Sequence, residues 1–160
     1  MDCIPALARQ ERWGIRLDVP QLEADLIRLD AILADIDKKF LNAAGLPSTQ
    51  LVNKIINSPV KLSELLFDKL QIPYPDSRAE RGKNGAYSIA KQIMARLSAQ
   101  YPIAKLIQSW KKLSTFRSRT LSALPAAVSE DGKLHTSYNS FDANTGRLSS
   151  STLDKFGNRV

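Results

Sequence analysis

Residues 18–45, DVPQLEADLIRLDAILADIDKKFLNAAG, decide the fold class. Asp18 is a good N-cap, and Pro20 sits in the first turn, where its missing N–H costs no hydrogen bond. Leu22, Leu26, Leu29, Leu33, Ile36 and Phe40 then recur at helical spacing, and charges fill the other face. Gly45 and then Pro47 stop the run. The spacing predicts one amphipathic helix from Val19 to Ala44, about 38 Å long at about 1.5 Å per residue. A helix of that length serves as a stalk or pairs with another long helix.

The chain on either side continues the helical theme. Ile4 to Trp13 reads as a short helix ending near Gly14, and Ile15 to Asp18 as an extended connector. Ser58 can cap a helix whose first position is Pro59 and whose apolar stripe is Leu62, Leu65, Leu66, Phe67 and Leu70. That helix ends before Ile72. Asp76 to Tyr87 holds Gly82, Asn84 and Gly85 with almost no apolar residue, and reads as an exposed, mobile loop. Arg78, Arg81 and Lys83 make its tip basic. Ser88 is expected to open a further helix with Ile89, Ile93, Met94 and Leu97 inward. Pro102 opens another, with Ile103, Leu106, Ile107, Trp110, Leu113 and Phe116 on one face and Lys105, Lys111, Lys112, Arg117 and Arg119 on the other. It should end near Leu124-Pro125. Trp13 and Trp110 fit apolar stripes, so core packing is the expected place of both.

After Pro125 the character changes. Asp131-Gly132 is a turn signal, and Lys133 to Tyr138 alternates like a strand. A lone hairpin is marginal in water, so this tail reads as the start of a second domain. The expected fold is mainly α, with long antiparallel helices and a basic tip loop, followed by a short β-containing segment. The boundaries read from the sequence are a linker at 1–18, a helical domain at 19–125 and an incomplete domain at 126–160.

Composition narrows the functional classes. The chain has 160 residues, 43% of them hydrophobic, enough for a packed core. No apolar run reaches membrane-spanning length, and the N-terminus lacks a signal pattern. One cysteine, Cys3, cannot form an internal disulfide, which points to a reducing, cytoplasmic setting. One histidine and one cysteine supply no metal cluster, and there is no nucleophile–base set or phosphate loop. His135 reads as structural. The net charge is +7, and residues 51–128 hold 13 Lys/Arg against 4 Asp/Glu. A field that one-sided faces a polyanion.

The segment Asn139 to Ser151 contains Thr145-Gly-Arg147 followed by three serines. Gly146 permits a sharp turn or close approach, Arg147 offers a planar fork of donors, and Ser149, Ser150 and Ser151 can donate to phosphate oxygens. On local chemistry the alternative is a strand followed by a polar turn.

Five pieces of this sequence, in order, resemble family A DNA polymerases of the bacterial DNA polymerase I type. Trp13-Gly-Ile-Arg-Leu-Asp18 resembles the junction after the exonuclease-like domain. Ile56-Asn-Ser-Pro59 with Leu62 to Leu70 resembles the opening of the thumb. Lys83-Asn-Gly85 and Ser88 resemble its tip loop, and Pro102-Ile103 the return helix. Asp131 to Asn139 with Thr145 to Ser151 resembles the first palm strand and the turn after it. The resemblance implies nucleotidyl transfer in the complete family enzyme, with two magnesium ions held by palm carboxylates. Those motifs are not recognisable in these 160 residues; Asp142 and Asp154 do not replace them. No catalytic residue, metal ligand or cofactor is therefore assigned to this chain.

What the resemblance carries over is contact with primer–template duplex DNA, by Asn57, Ser58, Lys83, Arg117, Thr145, Arg147, Ser149 and Ser150. For Asn57 and Ser58 a plain helix cap is the structural alternative, and for Lys83 an exposed loop lysine. Thr115, Arg119-Thr120 and Ser140 depart from the family pattern, which weakens the implied grip along the return helix. After Ser151 the similarity breaks off at Thr152 to Val160, which reads as a truncated, interrupted or partial gene. A second chain carrying the missing palm and fingers is one partner left open. A helical protein-interaction module, pairing through Val19 to Ala44, is the competing function.

Overall fold

The computed structural model describes residues 3–47, 51–76, 81–139 and 147–152. Helix α1 (Cys3–Trp13) leads through Gly14 into strand β1 (Ile15–Arg16) and then helix α2 (Val19–Ala44). The α2 start follows the capping logic: Gln21 N–H donates to Asp18 Oδ1 at 3.1 Å, and Leu22 N–H to the Asp18 carbonyl. Gly45, with φ +62°, ends the helix.

Helix α3 (Val52–Ile56) meets α4 (Pro59–Ser63) at a Ser58 cap, whose hydroxyl accepts from Lys61 N–H. From Glu64 to Lys69 the helix widens to i→i+5 bonding, and Leu70 N–H reaches the Leu65 carbonyl at 3.0 Å. Such widening is short and local in most proteins. Here it lets three consecutive side chains, Leu65, Leu66 and Phe67, all be buried. Gln71 then turns the chain at φ +51°, and Ile72 N–H closes on the Leu66 carbonyl.

Helix α5 spans Lys91–Gln100, and α6 spans Pro102–Phe116. A second wide turn (Arg117–Leu121) and the short α7 (Ala123–Ala126) follow. Ser88 does not open α5. Its hydroxyl accepts from Ala90 N–H and its carbonyl accepts from Tyr74 Oη–H, so the first helical bond is Met94 N–H to Ala90. The predicted strand at 133–138 divides into β2 (Lys133–Leu134) and β3 (Thr136–Asn139). β2 pairs antiparallel with β1, and β3 pairs antiparallel with β4 (Ser149–Thr152). The class is the expected one, mainly α with short β-structure.

The chain forms two compact units, residues 29–115 and residues 1–28 with 116–160. The helical unit 29–115 is built on an apolar core. Phe40, Leu62, Leu66, Leu97 and Ile107 are fully enclosed there, joined by Ile56, Met94 and Ala104. Trp110 belongs to it as expected and donates its indole N–H to Asp37 Oδ1 at 2.7 Å. Burial pushes the Asp37 carboxyl above its ordinary range, and the indole bond opposes that shift.

The other unit is held by polar contacts from α1. Glu11 Oε1 accepts from Tyr138 N–H at 2.6 Å, and the Glu11 carbonyl accepts from His135 Nδ1 at 2.7 Å. His135 Nε2 lies 3.0 Å from Asp131 Oδ2. Both ring nitrogens face acceptors, so the geometry favours the imidazolium. The Glu11 carbonyl first, then Asp131, raise the His135 pKa, and His135 lowers that of Asp131. Gly14 underlies the ring: a Cβ there would stand 2.8 Å from His135 Cε1. Trp13 does not enter a core; it is 79% exposed. Position 13 ends its helix just before this close approach of backbone to ring, so the helical spacing of the sequence overstates its burial.

Candidate nucleic-acid interface

The residues singled out in the sequence fall into two groups, one on each unit. In the helical unit, Asn57 is the exposed C-cap of α3 and Ser58 the half-buried N-cap of α4. Ser58 accepts with its oxygen from Lys61 N–H, which leaves the hydroxyl proton available to an acceptor. Cap and phosphate contact are therefore compatible at this position. Lys83 is exposed, and with Asn84 it forms the apex of the turn between Gly82 and Gly85. A shallow cleft of about 730 Å³ is lined by Pro59 and Val60, which follow Ser58 in the chain, together with Lys83, Asn84 and Ser88. Residues far apart in sequence thus meet in one open groove.

The described part of the tip, residues 81–88, is folded rather than loose. Arg81 pairs with Asp68 through its guanidinium and donates to the Gly85 carbonyl at 2.9 Å. Its guanidinium lies 4.8 Å from the Tyr87 ring centre. Tyr87 stacks on Tyr74 at 4.6 Å, and Phe67 meets both edge-on. Tyr87 N–H donates to Ser63 Oγ, the hydroxyl of a buried serine in α4. The bond from Arg81 holds the Asp68 carboxyl below its usual range. These residues form an exposed loop, as expected, and charge pairing and ring stacking stand in for the missing aliphatic contacts. Arg78 lies outside the described residues.

This unit also carries most of the field. Residues 29–115 contain 13 Lys/Arg against 7 Asp/Glu, a balance of +6. Lys111 is partly buried on α6, and desolvation lowers its pKa.

In the other unit, Arg117 is half-buried at the start of the second wide turn, where its carbonyl accepts from Ser122 N–H. Arg147 is exposed, two residues before β4. Ser149 and Ser150 are strand residues rather than turn residues, opposite Asn139 and Tyr138. Ser149 Oγ–H donates to the Asn139 carbonyl at 3.3 Å, while Ser150 is exposed. Thr145 lies outside the described residues, as do Gly146, Asp142 and Asp154. Sequence reasoning missed Ser63, Asp68 and Tyr87. The only signal for them was a basic tip whose arginine had an acid 13 residues upstream, which is not a helical or hairpin spacing.

Among the described residues no three His, Cys, Asp or Glu side chains gather as a metal site. The magnesium pair implied by the resemblance therefore finds no fitting ligand set among them. Among the described residues no helix is long and apolar enough to cross a membrane.

Comparison with known proteins gives a consistent result. The family model for DNA polymerase family A matches residues 22–154. The chain is 36% identical over 148 residues to DNA polymerase I of Chloroflexus aurantiacus, covering 92% of this chain and 15% of that protein. It is 37% identical over 146 residues to the thermostable DNA polymerase I of Thermus filiformis, covering 91% and 16%. Among solved structures, the POL domain of Pol1 from M. smegmatis, in complex with DNA primer-template and dNTP, superposes with a TM-score of 0.70 at 26% identity. That match covers 90% of this chain and 24% of the other. The chain thus spans about 15% of the length of the first of these curated relatives.

Proposed function

This chain belongs to DNA polymerase family A, and from that premise we propose that it binds the backbone of primer–template duplex DNA without itself carrying the nucleotidyl-transfer centre. One observation carries the reading: the cleft that the Ser58-capped start of α4 and the Lys83–Asn84 apex both line. The ammonium of Lys83 and the amide of Asn84, exposed on a shallow groove that the residues after the Ser58 cap also line, are phosphate-binding chemistry without base selectivity. The +6 balance of the same unit supplies the long-range attraction. Arg147, exposed at the entrance to β4, is the contact proposed for the other unit, with Ser150 beside it and Arg117, Ser149 and Thr145 as further candidates. The solved relative named for its complex with DNA primer-template supports the same partner. Nucleotidyl transfer would then depend on carboxylates outside these 160 residues, on the same or another chain.

Duplex binding by Lys83→Ala tests the reading. Loss of one phosphate contact should weaken binding by about 1 kcal/mol and lower the slope of log affinity against log salt by about 0.9. Equal affinity and an equal slope would remove Lys83 from the interface. The competing reading, protein pairing through α2, has the exposure of Ile27 and Ile32 in its favour. Self-association in solution with no retention of duplex would select it.

A further inference from the structure

We infer that Arg81 and Asp68 form a clamp that positions Lys83, so that Asp68, an acid, strengthens binding to a polyanion. The inference rests on the duplex-binding reading of the cleft.

Arg81 is a cation at a basic tip, and on charge alone it would count as another phosphate contact. Three of its five N–H donors are committed within the tip. One guanidinium nitrogen donates to Asp68 Oδ2 at 3.2 Å and to the Gly85 carbonyl at 2.9 Å, and the other pairs with Asp68 Oδ1. Its face lies over Tyr87. These bonds close a small ring of chain. Gly85 N–H returns to the Gly82 carbonyl at 2.8 Å, and Gly82 N–H to the Ala86 carbonyl at 3.0 Å. Gly85 has φ +69°, the left-handed conformation the turn requires. What remains at the apex is Lys83 with Asn84, both exposed, lining the same cleft as Pro59 and Val60.

The anchor of this ring is Asp68, which sits in the wide helical turn beside buried Phe67. Without it, the segment 81–85 would keep its internal bonds and the Arg81–Tyr87 contact but lose its bond to the wide helical turn, leaving Tyr87 N–H to Ser63 as its described tie to α4. A loop that must order itself upon binding loses affinity to conformational entropy. Simple electrostatics and the clamp therefore predict opposite signs for Asp68→Asn. Removing a carboxylate near phosphates should tighten binding, whereas releasing the clamp should weaken it.

The experiment measures binding of a labelled primer–template duplex by the 160-residue chain and by Asp68→Asn, Lys83→Ala and the double variant. Asp35→Asn, which removes a carboxylate paired with Lys39 on the exposed side of α2, is the charge control. Asp68→Asn should weaken binding about threefold or more, and the loss from Lys83→Ala should shrink toward unity in its background. Asp35→Asn should leave binding unchanged or slightly tighter. Amide exchange completes the test: Gly82 and Gly85 should lose protection in Asp68→Asn while core amides of α6 keep theirs. Tighter or equal binding by Asp68→Asn, an undiminished Lys83→Ala effect, or unchanged Gly82 and Gly85 protection would each overturn the clamp. If the unaltered chain binds and Lys83→Ala weakens it, only the clamp is at stake. If the unaltered chain retains no duplex, the binding reading falls and the positioning role falls with it.

Discussion

Gly14→Ala is the sharpest probe of how the smaller unit holds together. Two costs meet at this position. The backbone has φ +63°, and an L side chain in that conformation costs about 1–2 kcal/mol. The added Cβ would also stand 2.8 Å from His135 Cε1 and 3.0 Å from Nδ1, inside ordinary contact. The ring must move, and the part-buried bond from Nδ1 to the Glu11 carbonyl lengthens; its loss adds about 1 kcal/mol. Gly132 is the matched control in the same unit: φ is +75°, and a Cβ added there would meet nothing within 4 Å. Gly132→Ala should therefore cost only the conformational part. Urea denaturation near pH 6 should show Gly14→Ala less stable than Gly132→Ala by about 1 kcal/mol. The sign with pH follows from His135, whose folded pKa is raised by the Glu11 carbonyl and then Asp131. Its contribution is fully present below the unfolded pKa, about 6.5, and is lost as pH rises through the folded value. The gap between the two variants should narrow above neutral pH. Equal destabilisation in the acidic measurement, or a gap that widens on alkaline titration, would refute the structural role given to the His135 contact.

Three further outcomes are expected. Trp110→Phe removes the indole donor to Asp37 while keeping most of the ring volume, and should destabilise the helical unit by about 1–3 kcal/mol in chemical denaturation. Because the Asp37 pKa is already raised by burial, that loss should be relieved as pH falls through the raised value. Ser58→Ala should cost about 1 kcal/mol of stability through the lost cap, and Ser58→Asp, which preserves the cap but adds a negative charge, should be stable yet bind duplex more weakly. Arg147→Ala should leave the thermal midpoint unchanged, since the side chain is exposed, and weaken duplex binding by about 1 kcal/mol.

Where local chemistry dominates, the structure was legible in the residues. Asp18, Pro20 and Gly45 bracket α2 at its observed ends because caps and breakers act within one turn. Ser58-Pro59 marks α4 for the same reason. What escaped depends on partners distant in sequence. β1 pairs with β2 across most of the chain, and no local pattern at Ile15-Arg16 announces it. Ser149 to Ser151 reads as a polar turn because serines are poor strand formers, yet the ladder with Thr136–Asn139 makes Ser149–Thr152 a strand. Trp13 repeats the lesson from the other side: its helical phase is apolar, but it is exposed in its own unit. The candidate interface divides the same way. Ser58 and Lys83 could be named from the sequence, whereas the Asp68–Arg81 pair that shapes the tip joins a helical turn to a loop.

Binding of primer–template duplex by the whole 160-residue chain, followed across a salt titration, tests the central claim most directly. Retention at low salt is expected, with log affinity falling linearly in log salt by about 0.9 for each phosphate neutralised, and with no preference among duplex sequences. Absence of binding at low salt, or binding that is indifferent to salt, would contradict it.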